Sequence, residues 1–153
     1  MPAAIRKIKD ITFAFEEFAI LLSQHFTNHY YILIGPVLEQ EYFQNCQKVF
    51  EEIKNKYNLN KRVIYHGALS YPDCIKCLKD EVDLVINLSI SEGMSSSLVE
   101  AMTVGVPLLA RANEGNMVLI KDLQTGYLFN DEKEFFEKYK LVFNDLNLRQ
   151  QII

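Results

Sequence analysis

The stretch that decides the fold follows an apolar run at residues 83–88 and reads Ser91-Glu92-Gly93-Met94-Ser95-Ser96-Ser97-Leu98-Val99-Glu100-Ala101-Met102-Thr103-Val104-Gly105-Val106-Pro107. The run has the length and composition of a buried strand. The glycine and three serines after it are typical of a turn that opens a helix, and Gly105 is typical of a helix end. A helix N-terminus offers N–H groups to phosphate, and Glu92 and Glu100 can accept hydrogen bonds from hydroxyl groups. The stretch therefore predicts a site for a phosphorylated, hydroxyl-rich ligand.

Strand-like and helix-like segments alternate along the chain. We expect strands at residues 3–5, 30–34, 62–66, 83–88, 107–110 and 127–129, and helices at roughly 12–25, 39–57, 72–79, 95–104, 116–121 and 132–146. This alternation predicts an α/β fold, a Rossmann-like, doubly wound parallel sheet of about six strands in a single domain, residues 1–153. Ligands bind beyond the carboxyl ends of such strands, so we expect the turns at residues 6, 35, 67, 89–93 and 111–115 to form one crevice.

Composition excludes several classes of protein. The 153 residues, 49% of them hydrophobic, suffice for one globular domain with a substantial core. The net charge of −4 does not favour nucleic-acid binding. No apolar run approaches the roughly 20 residues that a membrane-spanning helix needs. The first residues lack the apolar core of a signal peptide, and three cysteines make no disulfide framework, so we expect a reduced, cytoplasmic protein.

Several of these features also have simpler interpretations. Ser95, Ser96 and Ser97 can serve only to cap their helix, and Glu100 can be an ordinary surface glutamate. The pair Cys74 and Cys77 has the C-x-x-C spacing of redox proteins, but the chain offers no second ligand pair for zinc, and the surrounding pattern fits a partly buried helix. The three histidines show no metal-binding spacing. We therefore expect neither a metal site nor redox chemistry.

The segments Ser91–Gly93, Leu98–Met102 and Gly105–Pro107 resemble the glutamate-x7-glutamate motif of the retaining family 4 glycosyltransferases. The resemblance runs from about Ile5 to Phe129 and is strongest with one subgroup of that family, the glycosyltransferase 1 domain-containing proteins. These enzymes have the two-domain GT-B fold, and the chain resembles their C-terminal domain, which binds the nucleotide-sugar donor. The resemblance implies that the N-terminal acceptor domain is absent from these 153 residues. The chain is then expected to be a fragment, an alternative product or a truncated gene model of a longer enzyme.

The resemblance also implies roles for individual residues. Glu92 matches the glutamate that contacts the hydroxyls of the donor sugar, and Glu100 matches the one that holds the ribose hydroxyls. Arg6 and Lys9 match the basic pair that neutralises the diphosphate, and with Glu92 they form the implied catalytic set. The other implied donor contacts are the amides around Gly93, Met94 and Ser95, the start of the helix at Ser96, and the loop beneath the base at Gly67, Ala68 and Leu69.

The implied reaction is a metal-independent, retaining transfer of a glycosyl group from a UDP-sugar or GDP-sugar to an unknown acceptor, without a further cofactor. The chain departs from the family pattern at Asp10, where many relatives have glycine, and at Ala112–Met117, where a second glycine and a glutamate are missing. We expect the chain to be inactive without the acceptor domain. Two alternatives stay open: a non-catalytic module that binds nucleotide or docks a partner domain or chain, and an unstable product with no function of its own.

Overall fold

A computed structural model of the chain describes residues 4–144. The chain divides into two compact units, Met1–Ala68 and Leu69–Ile153. Each unit contains a sheet of parallel strands, so the predicted α/β class is confirmed. The elements in chain order are α1 (Phe15–Gln24), β1 (Tyr31–Ile34), α2 (Gln40–Lys56), β2 (Val63–Gly67), α3 (Tyr71–Glu81), β3 (Val85–Asn87), α4 (Ser96–Thr103), β4 (Leu108–Arg111), α5 (Glu114–Leu119), β5 (Tyr127–Phe129) and α6 (Glu132–Asn144).

Aromatic side chains hold the first unit together. β1 pairs with β2 in parallel, with Tyr31 opposite Val63. The ring of Phe15 on α1 meets the ring of Phe50 on α2 edge to face, at 4.5 Å between centroids, and Phe18 meets Tyr31 in the same way at 5.7 Å. Such edge-to-face pairs add to the free energy gained from burying apolar area. Aromatic packing therefore joins α1 both to α2 and to the sheet.

The second unit is built on the sheet β3-β4-β5. Val85 lies opposite Leu108, and Leu109 lies opposite Tyr127. Strands β3 and β4 are buried almost throughout, as parallel strands covered on both faces usually are. The buried core around them consists of Leu78, Val85, Leu98, Ala101, Val106, Leu108, Ala110 and Ile120. This core joins α3 and α4 to the sheet and so fixes the position of the loop between β3 and α4.

Helix α4 ends as the sequence predicts. Gly105 has a φ of +73° and follows the last residues of the helix. Its N–H donates to the carbonyl of Met102 at 3.2 Å, and the N–H of Val106 donates to Ala101 at 3.0 Å. This pair of bonds is the Schellman motif, which needs a left-handed residue at the Gly105 position. The short helix therefore ends sharply and leads directly into β4.

The structure corrects several predicted boundaries. Of the expected first strand, Ile5 makes only an isolated parallel bridge to Val37, while Ala3 lies outside the described residues, so the described part of the chain has five strands. The helix predicted at 116–121 instead spans Glu114–Leu119. Its start lies earlier because the Asn113 side chain accepts a hydrogen bond from the Asn116 N–H and so acts as the N-cap. The last two residues predicted for α6 lie outside the described range.

Other elements agree with prediction to within a few residues. Pro72 lies in the first turn of α3, behind the N-cap Ser70. Helix α2 buries an apolar stripe from Phe43 to Ile53. Among residues 4–144, no helix combines the length and the apolar character needed to cross a membrane.

Candidate functional site in the loop between β3 and α4

Glu92 is held by hydrogen bonds from the strand that precedes it. Its Oε1 atom accepts a hydrogen bond from Ser89 Oγ at 2.8 Å and a longer one from Asn87 Nδ2 at 3.4 Å. Ser89 is fully buried and Asn87 is 4% exposed, whereas Glu92 itself is half-buried. The end of β3 therefore restrains the Glu92 carboxylate through its Oε1 atom.

The capping interpretation of Ser95 is wrong. Ser95 is the N-cap residue of α4, but its side chain makes no capping hydrogen bond to the helix. Its hydroxyl instead contacts Asn87 Nδ2 at 3.1 Å and Ser97 Oγ at 3.1 Å, and it is 3% exposed. A capping serine satisfies one of the N–H groups in the first turn of its helix. The Ser95 hydroxyl satisfies none of these groups, and the Leu98 N–H donates instead to the Ser95 carbonyl at 3.1 Å.

The start of α5 packs against the same loop. A Cβ atom added to Gly115 would lie 1.9 Å from the carbonyl oxygen of Gly93 and 2.3 Å from that of Glu92. The sequence places Gly115 in a turn, but it lies in the first turn of α5, where only glycine permits this approach. Asn113 adds a second connection, because its Nδ2 donates to the Ser89 carbonyl at 2.9 Å. The ends of β3 and β4 therefore meet in the second unit.

The remaining predicted residues of the second unit differ in exposure. Gly93 and Ser96 are exposed, and Met94 is 71% exposed. Glu100 is half-buried on α4, and Leu69 is half-buried before α3. The structure thus brings Glu92, Gly93 and the start of α4 together, with Glu100 one helical turn further on.

The predicted residues of the first unit lie near the carboxyl ends of its two strands. Segment 35–38 bonds to both sides: the Gly35 N–H donates to the Gly67 carbonyl at 2.8 Å, and the Ile5 N–H donates to Pro36 at 2.8 Å. This segment therefore brings Arg6 and Gly67 to the same end of the sheet. Gly67 has a φ of +87°, and Ala68 beyond it is exposed.

The two predicted cations of the first unit are in different environments. Arg6 is exposed, whereas Lys9 is only 8% exposed. A short 3-10 helix, Lys7–Lys9, causes the difference, because it turns Lys9 back into the unit. Burial of a charged group is costly unless the group is paired or hydrogen-bonded, and Lys9 does take part in such an interaction within the chain.

Asp10 has a backbone conformation that explains the family preference for glycine at this position. Its φ is +46° and its ψ +47°, in the left-handed region that aspartate and asparagine tolerate better than most residues. We expect Asp10→Val to be about 1–2 kcal/mol less stable than Asp10→Asn, because valine fits this conformation poorly. Urea denaturation of the two uncharged variants compares them directly. Equal stabilities would show that the left-handed turn at Asp10 relaxes at no cost.

The structure places the side chains that metal or redox chemistry would use. Among residues 4–144, no group of three or more histidine, cysteine, aspartate and glutamate side chains is placed to hold a metal ion. Cys74 and Cys77 lie on α3, half-buried. Burial raises the pKa of the Cys74 thiol, the opposite of the shift that activates redox cysteines.

The sequence interpretation assigns no individual role to four polar residues of the site: Asn87, Ser89, Asn113 and Asn116. Asn87 interrupts an otherwise apolar strand, and this polar residue at a buried position is the one signal that could have revealed it. Asn113 and Asn116 have the three-residue spacing of an N-cap and its first-turn partner. Asn116 is fully buried; its Nδ2 donates to the Arg111 carbonyl at 2.9 Å and lies 3.4 Å from Asn87 Oδ1. The polar network below the loop is therefore larger than the motif.

Comparison with solved structures defines the class of protein. HepE of Anabaena, solved in complex with UDP-glucose, is 23% identical and superposes with a TM-score of 0.81 over 98% of this chain and 40% of HepE. The C-terminal domain of the glycosyl transferase group 1 family protein LpcC from Francisella tularensis is 22% identical, with a TM-score of 0.82 over 99% of this chain and 77% of that domain. The fold is thus that of the C-terminal domain of GT-B glycosyltransferases, as the resemblance implies.

The sequence comparison is consistent with this class. Glycosyltransferase 1 domain-containing protein 1 of Xenopus tropicalis is 32% identical over 149 residues, which are 97% of this chain and 41% of that protein. The family described as "Glycosyl transferases group 1" matches residues 1–153. The chain belongs to this family, and it spans about two fifths of the length of that curated relative.

Proposed function

We propose that this chain binds the nucleotide-sugar donor of a retaining glycosyltransferase, a UDP-sugar or a GDP-sugar. One observation carries the proposal: a single loop holds the restrained carboxylate of Glu92 beside a helix start whose N-cap side chain does not cap it. A carboxylate accepts hydrogen bonds from sugar hydroxyls, and a helix start binds phosphate. HepE, a structure of the same fold, has been solved with UDP-glucose.

The proposed contacts follow the order of the ligand. Glu92 accepts hydrogen bonds from the sugar, and Glu100, one helical turn into α4, accepts them from the ribose. The amides around Gly93, Met94 and Ser95, with the first turn at Ser96, face the sugar and the phosphates. The family resemblance assigns the diphosphate to Arg6 and Lys9, and the base to the loop Gly67–Leu69.

In the proposed reaction, the bond between the anomeric carbon and the diphosphate breaks, and the diphosphate leaves with the bonding electrons. The oxygen of an acceptor hydroxyl forms the new bond with retention of configuration, and the hydroxyl proton passes to the departing diphosphate. Negative charge develops on the leaving oxygen, and fixed cations with directed N–H groups stabilise it. Arg6 suits this role because a guanidinium can bind two phosphate oxygens at once. The proposed chemistry needs no metal ion.

We further propose that the isolated chain binds the donor without transferring its sugar, and that transfer requires an acceptor-binding domain. The chain spans 41% of its Xenopus relative and 40% of HepE, which supports the assignment of donor binding to this chain and of acceptor binding to another domain. Sugar transfer or donor hydrolysis by the isolated chain would contradict it.

A second candidate function is a docking module without catalysis. It rests on apolar side chains exposed near the loop: Ile90 at 53%, Met94 at 71% and Met117 at 51%. Exposed apolar clusters mark interaction surfaces in many proteins. A chain that binds no nucleotide but binds another domain through these three side chains would favour this alternative.

Calorimetry with UDP, GDP and their glucose conjugates tests the proposed donor site. We expect Glu100→Ala to weaken nucleotide binding about tenfold or more, because it removes charge-assisted hydrogen bonds to the ribose. We expect Glu92→Ala to weaken binding of the sugar conjugate and to leave binding of the free nucleotide unchanged, since the proposed partner of Glu92 is the sugar.

Glu81→Ala serves as the control for these two variants. Glu81 is an exposed glutamate at the end of α3 in the same unit. Its removal should change neither affinity. Absence of binding by the unmodified chain would reject the donor site, and unchanged affinity in Glu100→Ala would reject the assigned ribose contact.

A further inference from the structure

The carboxylate of Glu92 rests on a polar network buried below the loop. Ser89 is fully buried, and its hydroxyl donates to Glu92 Oε1 at 2.8 Å. Asn87 reaches the same oxygen at 3.4 Å with Nδ2. Both donors come from the end of β3, so the orientation of the carboxylate is determined by the sheet as well as by the loop.

The donors are themselves held in place. The Ser89 N–H donates to Asn87 Oδ1 at 3.0 Å, and the Ser89 carbonyl accepts from Asn113 Nδ2 at 2.9 Å. The side chain of Ser89 therefore extends from a backbone that is bonded on both its N–H and its C=O. Such a bonded, buried serine has little freedom to move its hydroxyl away from Glu92.

An ionised carboxylate acts only as a hydrogen-bond acceptor, so two donors directed at one of its oxygens restrict its orientation. A carboxylate fixed before the ligand arrives loses less conformational entropy on binding than a mobile one. Hydrogen bonds from sugar hydroxyls are short and directional, so the orientation of the acceptor affects affinity. The network thus has the properties of a support for ligand recognition.

We propose that Ser89, supported by Asn87, is a positioning residue that sets Glu92 for the donor sugar. The inference rests on the proposed function, in which Glu92 contacts that sugar. Ser89 makes no contact with the ligand in this scheme and acts through Glu92. Its effect must therefore be confined to the sugar part of the donor and must disappear when Glu92 is removed.

The test measures binding of UDP and UDP-glucose, and of GDP and GDP-glucose in parallel, to the full 153-residue chain. Ser89→Ala removes the hydroxyl donor with the smallest change in volume. We expect it to weaken binding of the sugar conjugate about fivefold to tenfold, a loss within the range of one ordinary hydrogen bond. We expect binding of the free nucleotide to stay within about twofold. Glu92→Ala and the double variant Ser89→Ala/Glu92→Ala complete a cycle, and we expect these two to bind equally.

Ser23→Ala is the matched control. Ser23 is a partly buried serine on α1 whose hydroxyl donates to the Ile20 carbonyl at 2.9 Å. It should leave the affinity for both ligands unchanged. Equal weakening of nucleotide and sugar conjugate by Ser89→Ala would indicate a purely structural role for Ser89, and additive effects in the double variant would show that Ser89 does not act through Glu92. Either result would overturn the inference.

A measurement without ligand separates the inference from the proposed function. Amide hydrogen exchange should become faster at residues 90–95 in Ser89→Ala and stay unchanged in α3, because the loop loses its attachment to β3. Unchanged exchange at residues 90–95 would overturn the positioning role even if the donor binds. Faster exchange in a chain that binds no nucleotide would instead reject the proposed function and leave Ser89 as a support of the loop alone.

Discussion

Gly115→Ala is expected to destabilise the second unit by about 3 kcal/mol, within the upper range for overpacking a buried site. The new methyl group would lie 1.9 Å from the Gly93 carbonyl oxygen and 2.3 Å from that of Glu92. Glycine to alanine within a helix ordinarily gains about 1 kcal/mol, so the sign of the expected effect is the reverse of the helix-propensity effect. Both obstructing atoms belong to backbone, which cannot rotate away as a flexible side chain can.

The same substitution should also weaken binding of the sugar nucleotide more than tenfold, because relief of the clash must displace the segment that carries Glu92. Urea denaturation and calorimetry measure the two effects. Gly93→Ala is the matched control for stability, since a Cβ atom at Gly93 meets nothing within 4 Å. We expect its free energy of unfolding to change by less than about 0.5 kcal/mol. Equal stability of the two variants would contradict the close packing of α5 on the loop.

Leu98→Ala is expected to cost about 2–5 kcal/mol of unfolding free energy, the usual cost of truncating a buried leucine. Leu98 is fully buried and belongs to the core that joins α4 to the sheet. Such a loss is a large part of the roughly 5–15 kcal/mol that stabilises a typical domain. Met102→Ala on the same helix is the control, because Met102 is 40% exposed.

We expect Met102→Ala to cost less than about 1 kcal/mol, as surface truncations usually do. Chemical denaturation followed by circular dichroism compares the two variants. A cost for Leu98→Ala no greater than that for Met102→Ala would show that α4 is not anchored by Leu98. In that case the core could not be what fixes the position of Glu100.

Much of the fold follows from local pattern. The apolar stripe of α2, the proline near the start of α3 and the glycine after α4 each mark an element that the structure contains. Each signal depends on neighbours within one or two helical turns, so a single segment of sequence is enough to predict it. Boundaries are less accurate where a side chain decides them, as Asn113 does for α5.

The candidate site is only partly visible in the sequence. Glu92 and Glu100 lie on one continuous segment of strand, loop and helix, so the sequence alone predicts that they lie close together. The resemblance gives these two residues their expected roles. The burial of Lys9 could not be predicted from the sequence, because it depends on a short 3-10 helix that no periodic pattern predicts. The hydroxyl of Ser95 likewise bonds to Asn87 instead of capping its own helix.

The sequence by itself determined the strand, loop and helix that present two glutamates, because local hydrogen bonding and apolar spacing specify these elements. Only the tertiary structure decided how that loop is supported. Asn113 bonds to Ser89 across 24 positions of sequence, and Asn116 approaches Asn87 across 29. Gly115 packs against the peptide that carries Glu92. Such contacts join segments that become neighbours only when parallel strands pair, so the local sequence around Glu92 does not predict them.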